Sequence, residues 1–199
     1  FNVTDYMLLT YMPNYLSVTM GYAETKGLLL IIIVMLVMMP LNVVGGLFSD
    51  RLGRRPMIIG ACVALMLLSV PCMLLIGTGN DALIFLGLML LGIALVCFTS
   101  SMPSTLPALF YTPVRYSALS IAFNISVSLF GGTTPLITAW LVQKTGDPLV
   151  PAYYLMGAAL IGLLTMLTVR ETAGMPLRGS PPAVANEAEA ITLVESGEP

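Results

Sequence analysis

The chain has 199 residues, of which 57% are hydrophobic and only 9% are charged, and its formal net charge is -2. Because soluble domains carry roughly 25% charged residues, this composition excludes an ordinary water-soluble fold. Histidine is absent and no cluster of cysteine or acidic residues occurs, so we expect no enzyme activity, cofactor, metal site or nucleic acid partner.

Long uncharged stretches dominate the chain, and they cover residues 27–49, 56–80, 82–114, 116–143 and 148–169. Each is at least as long as the roughly 20 apolar residues that cross a bilayer as a helix. They lack the alternation of barrel strands, and backbone groups inside lipid must be paired within the segment. The sequence therefore predicts an all-α polytopic membrane protein.

A further helix is predicted at the start of the chain, where Asp5 is the one charged residue among the first eighteen. The chain opens without methionine, and this segment spans only about 25 Å as a helix, so we expect a truncated first helix. The predicted bundle covers residues 1–173, and a disordered tail is predicted for residues 174–199, which are rich in Gly, Pro, Ala and Glu. The six predicted helices span about residues 1–18, 27–46, 56–77, 82–102, 116–142 and 149–169.

Basic residues divide unevenly between the two sides of this bundle. One set of alternate loops and the C-terminal flank carry six, namely Arg51, Arg54, Arg55, Arg115, Arg170 and Arg178. The opposite loops carry only Lys26 and Lys144. Because positive charge is retained on the cytoplasmic side, the C-terminus is predicted to be cytoplasmic.

Polar side chains concentrate on the first, fourth and fifth helices, whereas the third and sixth are almost wholly apolar. A polar face in the membrane must meet another helix or water. We therefore expect the first, fourth and fifth helices to face a cavity or a partner, and the third and sixth to be outer supports. On the fourth helix, Thr99 and the two serines that follow it precede Pro103, which predicts the end of the helix there.

Candidate cavity residues on the first helix are Asn2, Tyr6 and Thr10, which recur at four-residue spacing, with Asp5 at the edge of the same face. An ionisable group at this depth is a candidate proton acceptor or substrate contact. The alternative is that Asp5 pairs with a basic residue in the missing part of the protein or lies at a water-filled cytoplasmic mouth.

The fifth helix has a small and polar face, made by Ser117, Ser120, Asn124, Ser128, Gly131 and Pro135. Such a face favours either close helix packing or the lining of a cavity. Asn124 is the stronger cavity candidate, with Ser128 beside it, because a buried amide needs partners that packing alone does not supply.

The loop between the second and third helices reads Gly-Leu-Phe-Ser-Asp-Arg-Leu-Gly-Arg-Arg-Pro over residues 46–56. Gly53 permits a tight turn, and Pro56 suits the first turn of the next helix. Three arginines surround one carboxylate, Asp50. This carboxylate could pair with an arginine or cap a helix N-terminus, and either contact could break and re-form between two conformations.

The pattern G-x-x-x-D-R-x-G-R-R resembles the loop signature of the major facilitator superfamily, which lies between the second and third helices of a six-helix half. Residues 107–115 are similar to the corresponding loop before the fifth helix, with Arg115 as its basic anchor. The resemblance implies that the signature loop latches the cytoplasmic side in the outward-open state. It assigns this gating to Gly46, Asp50, Arg51, Gly53, Arg54 and Arg55, and we add Arg115 of the similar loop to the candidate gating residues.

Further segments resemble the C-terminal half of osmoregulatory proline/glycine betaine transporters, in the metabolite:proton symporter branch. They are residues 2–4, 6–13, 104–108, 115–119, 122–127, 151–156 and 171–173. The resemblance implies two inverted three-helix repeats that pair with a missing N-terminal six-helix half. It also implies symport of a zwitterionic solute with a proton, by alternating access, across a bacterial inner membrane.

Two departures limit this resemblance: Asp5 stands where an aromatic residue is expected, and the long coiled-coil tail of some members is missing. Within the superfamily, the alternative is an organic-anion:proton symporter of the dicarboxylate or citrate type. It would carry an arginine or lysine inside the membrane, and none is present in this chain. A non-transporting receptor module on the same fold is a third interpretation.

Overall fold

The computed structural model describes residues 1–169 and 171–173, and all regular secondary structure in these ranges is helical. Five helices are long and apolar enough to cross a membrane, and they span Glu24–Leu52, Arg54–Ile76, Asp81–Ala108, Arg115–Thr145 and Val150–Thr168. The all-α prediction is therefore confirmed. We number these five helices second to sixth, because a shorter helical segment over residues 2–19 precedes them. The predicted tail over residues 174–199 lies outside the described residues.

The first helical segment is not among the five, so the prediction of six spans is met for five only. It alternates between α-helix and π-helix, in the order Asn2–Tyr6, Met7–Tyr11, Met12–Asn14 and Tyr15–Thr19. Pro13 explains part of this irregularity, because proline lacks an N–H and its ring displaces the carbonyl four residues earlier. The second π-helical turn is closed by the N–H of Met20, which donates to the carbonyl of Tyr15 at 3.2 Å.

Two helices run well beyond their predicted ends. The second continues through Pro40 to Leu52, and the fourth continues through Pro103 to Ala108 instead of ending near residue 102. Side-chain hydroxyls along the fourth helix donate to backbone carbonyls of the same helix. The hydroxyls of Ser104 and Thr105 both donate to the backbone carbonyl of Ser101. Pro103 leaves the Thr99 carbonyl without its helical partner, so these bonds add contacts near the proline and do not replace the one that it removes. Membrane helices nevertheless tolerate proline in their interior, which the simple rule for helix termination ignores.

The third helix packs against the fourth and the sixth, and the fourth packs also against the second. The first segment contacts the fifth helix. Its side chains are among the most deeply buried of the described residues, with Met7, Leu8, Tyr11, Met12, Tyr15 and Leu16 all at most 2% exposed. The first segment is thus a packed central element, and only part of its surface is free to line a cavity.

A polar seam joins the second and fourth helices. The hydroxyls of Ser49 and Ser101 lie 2.9 Å apart, and Thr99 donates to the side-chain carbonyl of Asn42. Gly45 lies between these two contacts, where an added Cβ would lie only 3.0 Å from the Ser100 oxygen. Much of the polarity predicted to face a cavity therefore bonds within the bundle, since interhelical hydrogen bonds satisfy groups that lipid cannot.

Two tyrosines tie loops together at the end of the bundle opposite the arginine-rich loop. Tyr15 donates to the carbonyl of Pro148 at 3.0 Å. The hydroxyl of Tyr22 donates to the Asp81 carboxylate and lies 2.9 Å from the carbonyl oxygen of Gly79. The bond to Asp81 holds the phenol proton and raises the pKa of Tyr22.

Gly87 offers a test of the close contact between the third and fourth helices. An added Cβ would lie 2.8 Å from the carbonyl oxygen of Cys72 and 2.9 Å from Ile76, so the third and fourth helices must separate to admit it. We expect Gly87→Ala to destabilise the bundle by roughly 1–3 kcal/mol, as measured by thermal denaturation in detergent.

Gly157→Ala is the matched control, because no atom lies within 4 Å of the Cβ it would add on the sixth helix. Its stability should be unchanged or slightly raised, since alanine favours helix over glycine. A Gly87 variant as stable as this control would contradict the close contact.

Candidate gating loop and cavity

The start of the third helix is held by a carboxylate distant in sequence. Glu171 accepts hydrogen bonds from the backbone N–H groups of Arg54 at 3.1 Å and Arg55 at 3.0 Å. It also accepts from Thr172 and Ala173 at 2.9 and 2.8 Å. The first N–H groups of a helix lack partners within the helix and carry a partial positive charge. The Glu171 carboxylate therefore caps the N-terminus of the third helix from a distant position in the same chain.

Gly53 makes this cap possible for two reasons. Gly53 lies between the second and third helices, and its φ of +98° lies in a region that other residues rarely adopt. A Cβ at this position would also lie 2.8 Å from a carboxylate oxygen of Glu171. The turn therefore requires glycine both for its backbone geometry and for the space that the carboxylate occupies.

The charged form of Glu171 is favoured by its surroundings. Burial by itself raises the pKa of this carboxyl, but four backbone N–H groups outweigh that effect and lower the pKa below its ordinary value of 4.5. The group is ionised at neutral pH and completes the cap as an anion.

The two arginines that follow Gly53 bind carbonyl oxygens on other helices. Arg55 donates from Nε to the Met166 carbonyl at 3.2 Å and from Nη2 to the Leu167 carbonyl at 2.8 Å, near the end of the sixth helix. Arg54 donates from Nη1 to the Ser104 carbonyl of the fourth helix at 3.1 Å. A cation at the C-terminal carbonyls of a helix is favourable, so this cluster ties the third, fourth and sixth helices together.

Asp50 does not cap the third helix, because Glu171 occupies that place. The nearest approach between Asp50 and Arg54 is 3.9 Å, and the side chain of Asp50 is 71% exposed. A pair this long and exposed contributes little to stability. Arg51 is also exposed, and the structure gives it no hydrogen bond or ion pair with the described residues.

Gly46 and Arg115, also assigned to gating, lie in different surroundings. No atom lies within 4 Å of a Cβ added at Gly46, so nothing in the described chain requires glycine there. Arg115 is buried at the start of the fifth helix, and its Nη2 donates to the Phe110 carbonyl at 3.3 Å.

The predicted face of the first helix divides into packed and open positions. Asn2 is buried and donates to the hydroxyl of Ser126 at 3.0 Å. The ring of Tyr6 lies against Gly131, where an added Cβ would lie 2.8 Å from two ring carbons. Thr10 is exposed. Asp5 is half-buried and forms no salt bridge with any residue that the structure describes.

The polar face of the fifth helix divides in the same way. Gly131 is buried against the first helix, which agrees with the packing interpretation for that end. Ser117, Ser120, Asn124 and Ser128 are exposed, which leaves the other end free to line a cavity. Asn124 donates from Nδ2 to the Ser120 carbonyl of its own helix at 2.8 Å. The π-helical segment Val127–Gly132 contains both Ser128 and Gly131, so the change from exposed to buried positions falls within it.

A cavity of about 420 Å³ lies between the fourth and fifth helices and is lined in part by Thr99, Ser120 and Asn124. Its remaining walls are apolar and include Met102 and Phe123. Size and lining agree with small-molecule sites, which are mostly apolar with a few placed polar groups. A second cavity of about 510 Å³ is lined by parts of the first, fifth and sixth helices.

Sequence reasoning missed Glu171 and Thr99 as functional candidates. A signal for the first existed, because the third helix begins after a glycine, which offers no side-chain acceptor for the free N–H groups. The missing acceptor had to come from elsewhere in the chain. For Thr99 there was no signal, since its neighbourhood depends on how two helices pack.

Replacing the capping carboxylate tests its role. We expect Glu171→Gln to lower stability in detergent at neutral pH by about 1 kcal/mol, because the amide cannot accept from all the N–H groups that the carboxylate satisfies. Since the pKa of Glu171 is lowered, its contribution is complete above pH 4.5 and is lost as the pH falls through the lowered value. Thermal denaturation across this pH range should therefore show that the difference in stability between the unmodified protein and Glu171→Gln becomes smaller as the pH falls.

Glu24→Gln is the control, because Glu24 is exposed in the first turn of the second helix and makes no side-chain cap bond there. Equal losses in the two variants would argue against a specific cap.

Comparison with known proteins places the chain among transporters. Residues 1–182 match the family described as "Sugar (and other) transporter". The chain is 52% identical over 193 residues to a proline/betaine transporter of Salmonella typhimurium, and 51% identical over 193 residues to one of Escherichia coli K12. It is 51% identical over 194 residues to a glycine betaine/proline/ectoine/pipecolic acid transporter of Dickeya dadantii.

These matches cover 97% or 98% of this chain but only 38% of each relative, so the chain spans little more than a third of their length. The expected superfamily is confirmed by the family match and by the level of identity. This chain belongs to the sugar (and other) transporter family of the major facilitator superfamily.

Proposed function

We propose that this chain is the C-terminal half of a secondary transporter that imports a zwitterionic compatible solute, such as proline or glycine betaine, together with a proton. The main support for this proposal is the sequence identity of 51–52%, across nearly the whole chain, to transporters named for these solutes. Six helical segments in two inverted three-helix repeats would pair with a missing N-terminal six-helix half.

The distribution of burial supports a missing partner. Only 17% of the apolar window of the fifth helix and 22% of that of the second are buried, against 50% for the fourth. The exposed part of the fifth helix carries serines and Asn124, which are poor neighbours for lipid. A second helical bundle laid against this surface would enclose a polar route through the membrane.

The arginine-rich loop supports alternating access as the transport mechanism. Its backbone is fixed by Glu171, while Asp50 and Arg51 extend from it with few contacts of their own. Exposed charged side chains on a loop whose backbone is held in place, such as Asp50 and Arg51, are suited to contacts that form in one conformation and break in the other. We assign them to the latch between the two halves, with the loop and the C-terminus on the cytoplasmic side of a bacterial inner membrane.

The half-buried Asp5 is the candidate proton acceptor of this half, because an ionisable group within a membrane segment favours a functional role. It lies close in sequence to Asn2 and Tyr6, which join the first helix to the fifth. A proton on Asp5 would remove a charge beside this contact, which links protonation to the packing of the two helices.

Uptake measurements test the transport proposal. Cells that express the full-length transporter to which we assign this chain should accumulate radiolabelled proline and glycine betaine when a proton gradient is imposed. Collapse of the gradient with an uncoupler should abolish accumulation, since the coupled ion supplies the driving force. Uptake that is unchanged by the uncoupler would remove the symport proposal.

Asp50→Ala tests the latch. Because Asp50 is 71% exposed and approaches Arg54 only to 3.9 Å, its loss should leave stability nearly unchanged. The rate of uptake should nevertheless fall several-fold, because one of the two conformations loses a charged contact. Glu24→Ala removes an exposed acid from the opposite end of the second helix and should not change the rate. A normal rate in the Asp50 variant would exclude the latch role.

A further inference from the structure

Thr99 and Asn124, which both line the cavity between the fourth and fifth helices, lie at matching positions along the two helices. Thr99 is nine residues before Ala108, and Asn124 is nine residues after Arg115, at the adjacent ends of the two helices. At 1.5 Å per residue each side chain lies roughly 14 Å from that helix end, about a third of the way along a helix long enough to cross the membrane. The two polar side chains therefore share one depth, on facing walls of the cavity.

The hydroxyl of Thr99 is surrounded by acceptors outside the cavity. It donates to the side-chain carbonyl of Asn42, and the backbone carbonyls of Leu95 and Val96 lie 3.2 and 3.3 Å away. Asn42 is itself held, because its Nδ2 donates to the Met38 carbonyl at 3.0 Å. A hydroxyl has one proton, and that proton is engaged here. Thr99 can therefore offer a ligand only a lone pair.

Asn124 adds a second acceptor on the opposite wall. One of its amide protons is used by the Ser120 carbonyl, and the structure gives its Oδ1 no partner among the described residues. Ser120 is the other polar side chain in the lining, and the neighbouring wall at Phe123 and Met102 is apolar. The cavity thus favours a ligand with a hydrogen-bond donor beside an apolar surface.

We propose that Thr99 is a specificity-determining residue, which accepts a hydrogen bond from the protonated amine of a proline-type substrate, with Asn124 as the second acceptor. This inference rests on the proposed transport function. The secondary ammonium of proline carries N–H donors, whereas the quaternary nitrogen of glycine betaine carries only methyl groups. A site that hydrogen-bonds an N–H discriminates strongly by whether the ligand has one, since a donor left without its acceptor is costly.

Thr99→Val tests the proposal, because valine keeps the branched shape and removes the oxygen. The KM for proline uptake should rise roughly tenfold, while the KM for glycine betaine should change by less than about twofold. Thr99→Ser, which retains the oxygen, should restore the KM for proline. Thr165→Val is the matched control, because the exposed Thr165 hydroxyl also bonds to its own helix, at 2.8 Å from the Ile161 carbonyl.

The ratio of the two KM values decides the outcome, and glycine betaine uptake reports in the same cells whether each variant is folded. Equal changes for both solutes, or no change for either, would overturn the role of Thr99. If the unmodified protein accumulates neither solute, the proposed function itself fails, and this inference fails with it.

Discussion

The arrangement of the described bundle depends on one exchange of contacts between the third and sixth helices. The carboxylate of Glu171, just after the sixth helix, caps the N-terminus of the third, and Arg55 from the third binds carbonyls near the C-terminus of the sixth. Each helix end therefore receives the charge that its dipole favours. Both contacts are hydrogen bonds to backbone groups that have no partner within their own helix. Loss of either contact would therefore leave the backbone groups of one helix end unpaired.

This exchange explains why the arginine-rich loop combines rigid and free charges. Gly53 and the cap fix its backbone, and Arg54 extends the contact to the fourth helix. Hydrogen bonds thus join the third, fourth and sixth helices at the end of the bundle that carries this loop. The second and fifth helices are the least buried of the five long helices, and they carry the surfaces on which a change of partner is possible.

The sequence predicted what depends on local pattern: the long apolar helices, the arginine-rich loop and the family. It predicted less well what depends on distant partners. The fourth helix continues through Pro103 to Ala108, and the first segment widens into π-helix near Pro13. Glu171 acquires its role only when the sixth helix returns to the third. Polarity alone also could not separate bonds within the bundle, as at Ser49, from side chains that line a cavity.

The two glycines of the signature, Gly46 and Gly53, differ in whether the described structure itself requires a glycine. Gly53 is required by the chain's own geometry, whereas a side chain at residue 46 would meet only empty space. Any intolerance of larger residues at Gly46 must originate outside the described residues. In a genetic screen, defects at Gly53 would thus report on the architecture of this bundle, and defects at Gly46 would map the footprint of whatever docks against it.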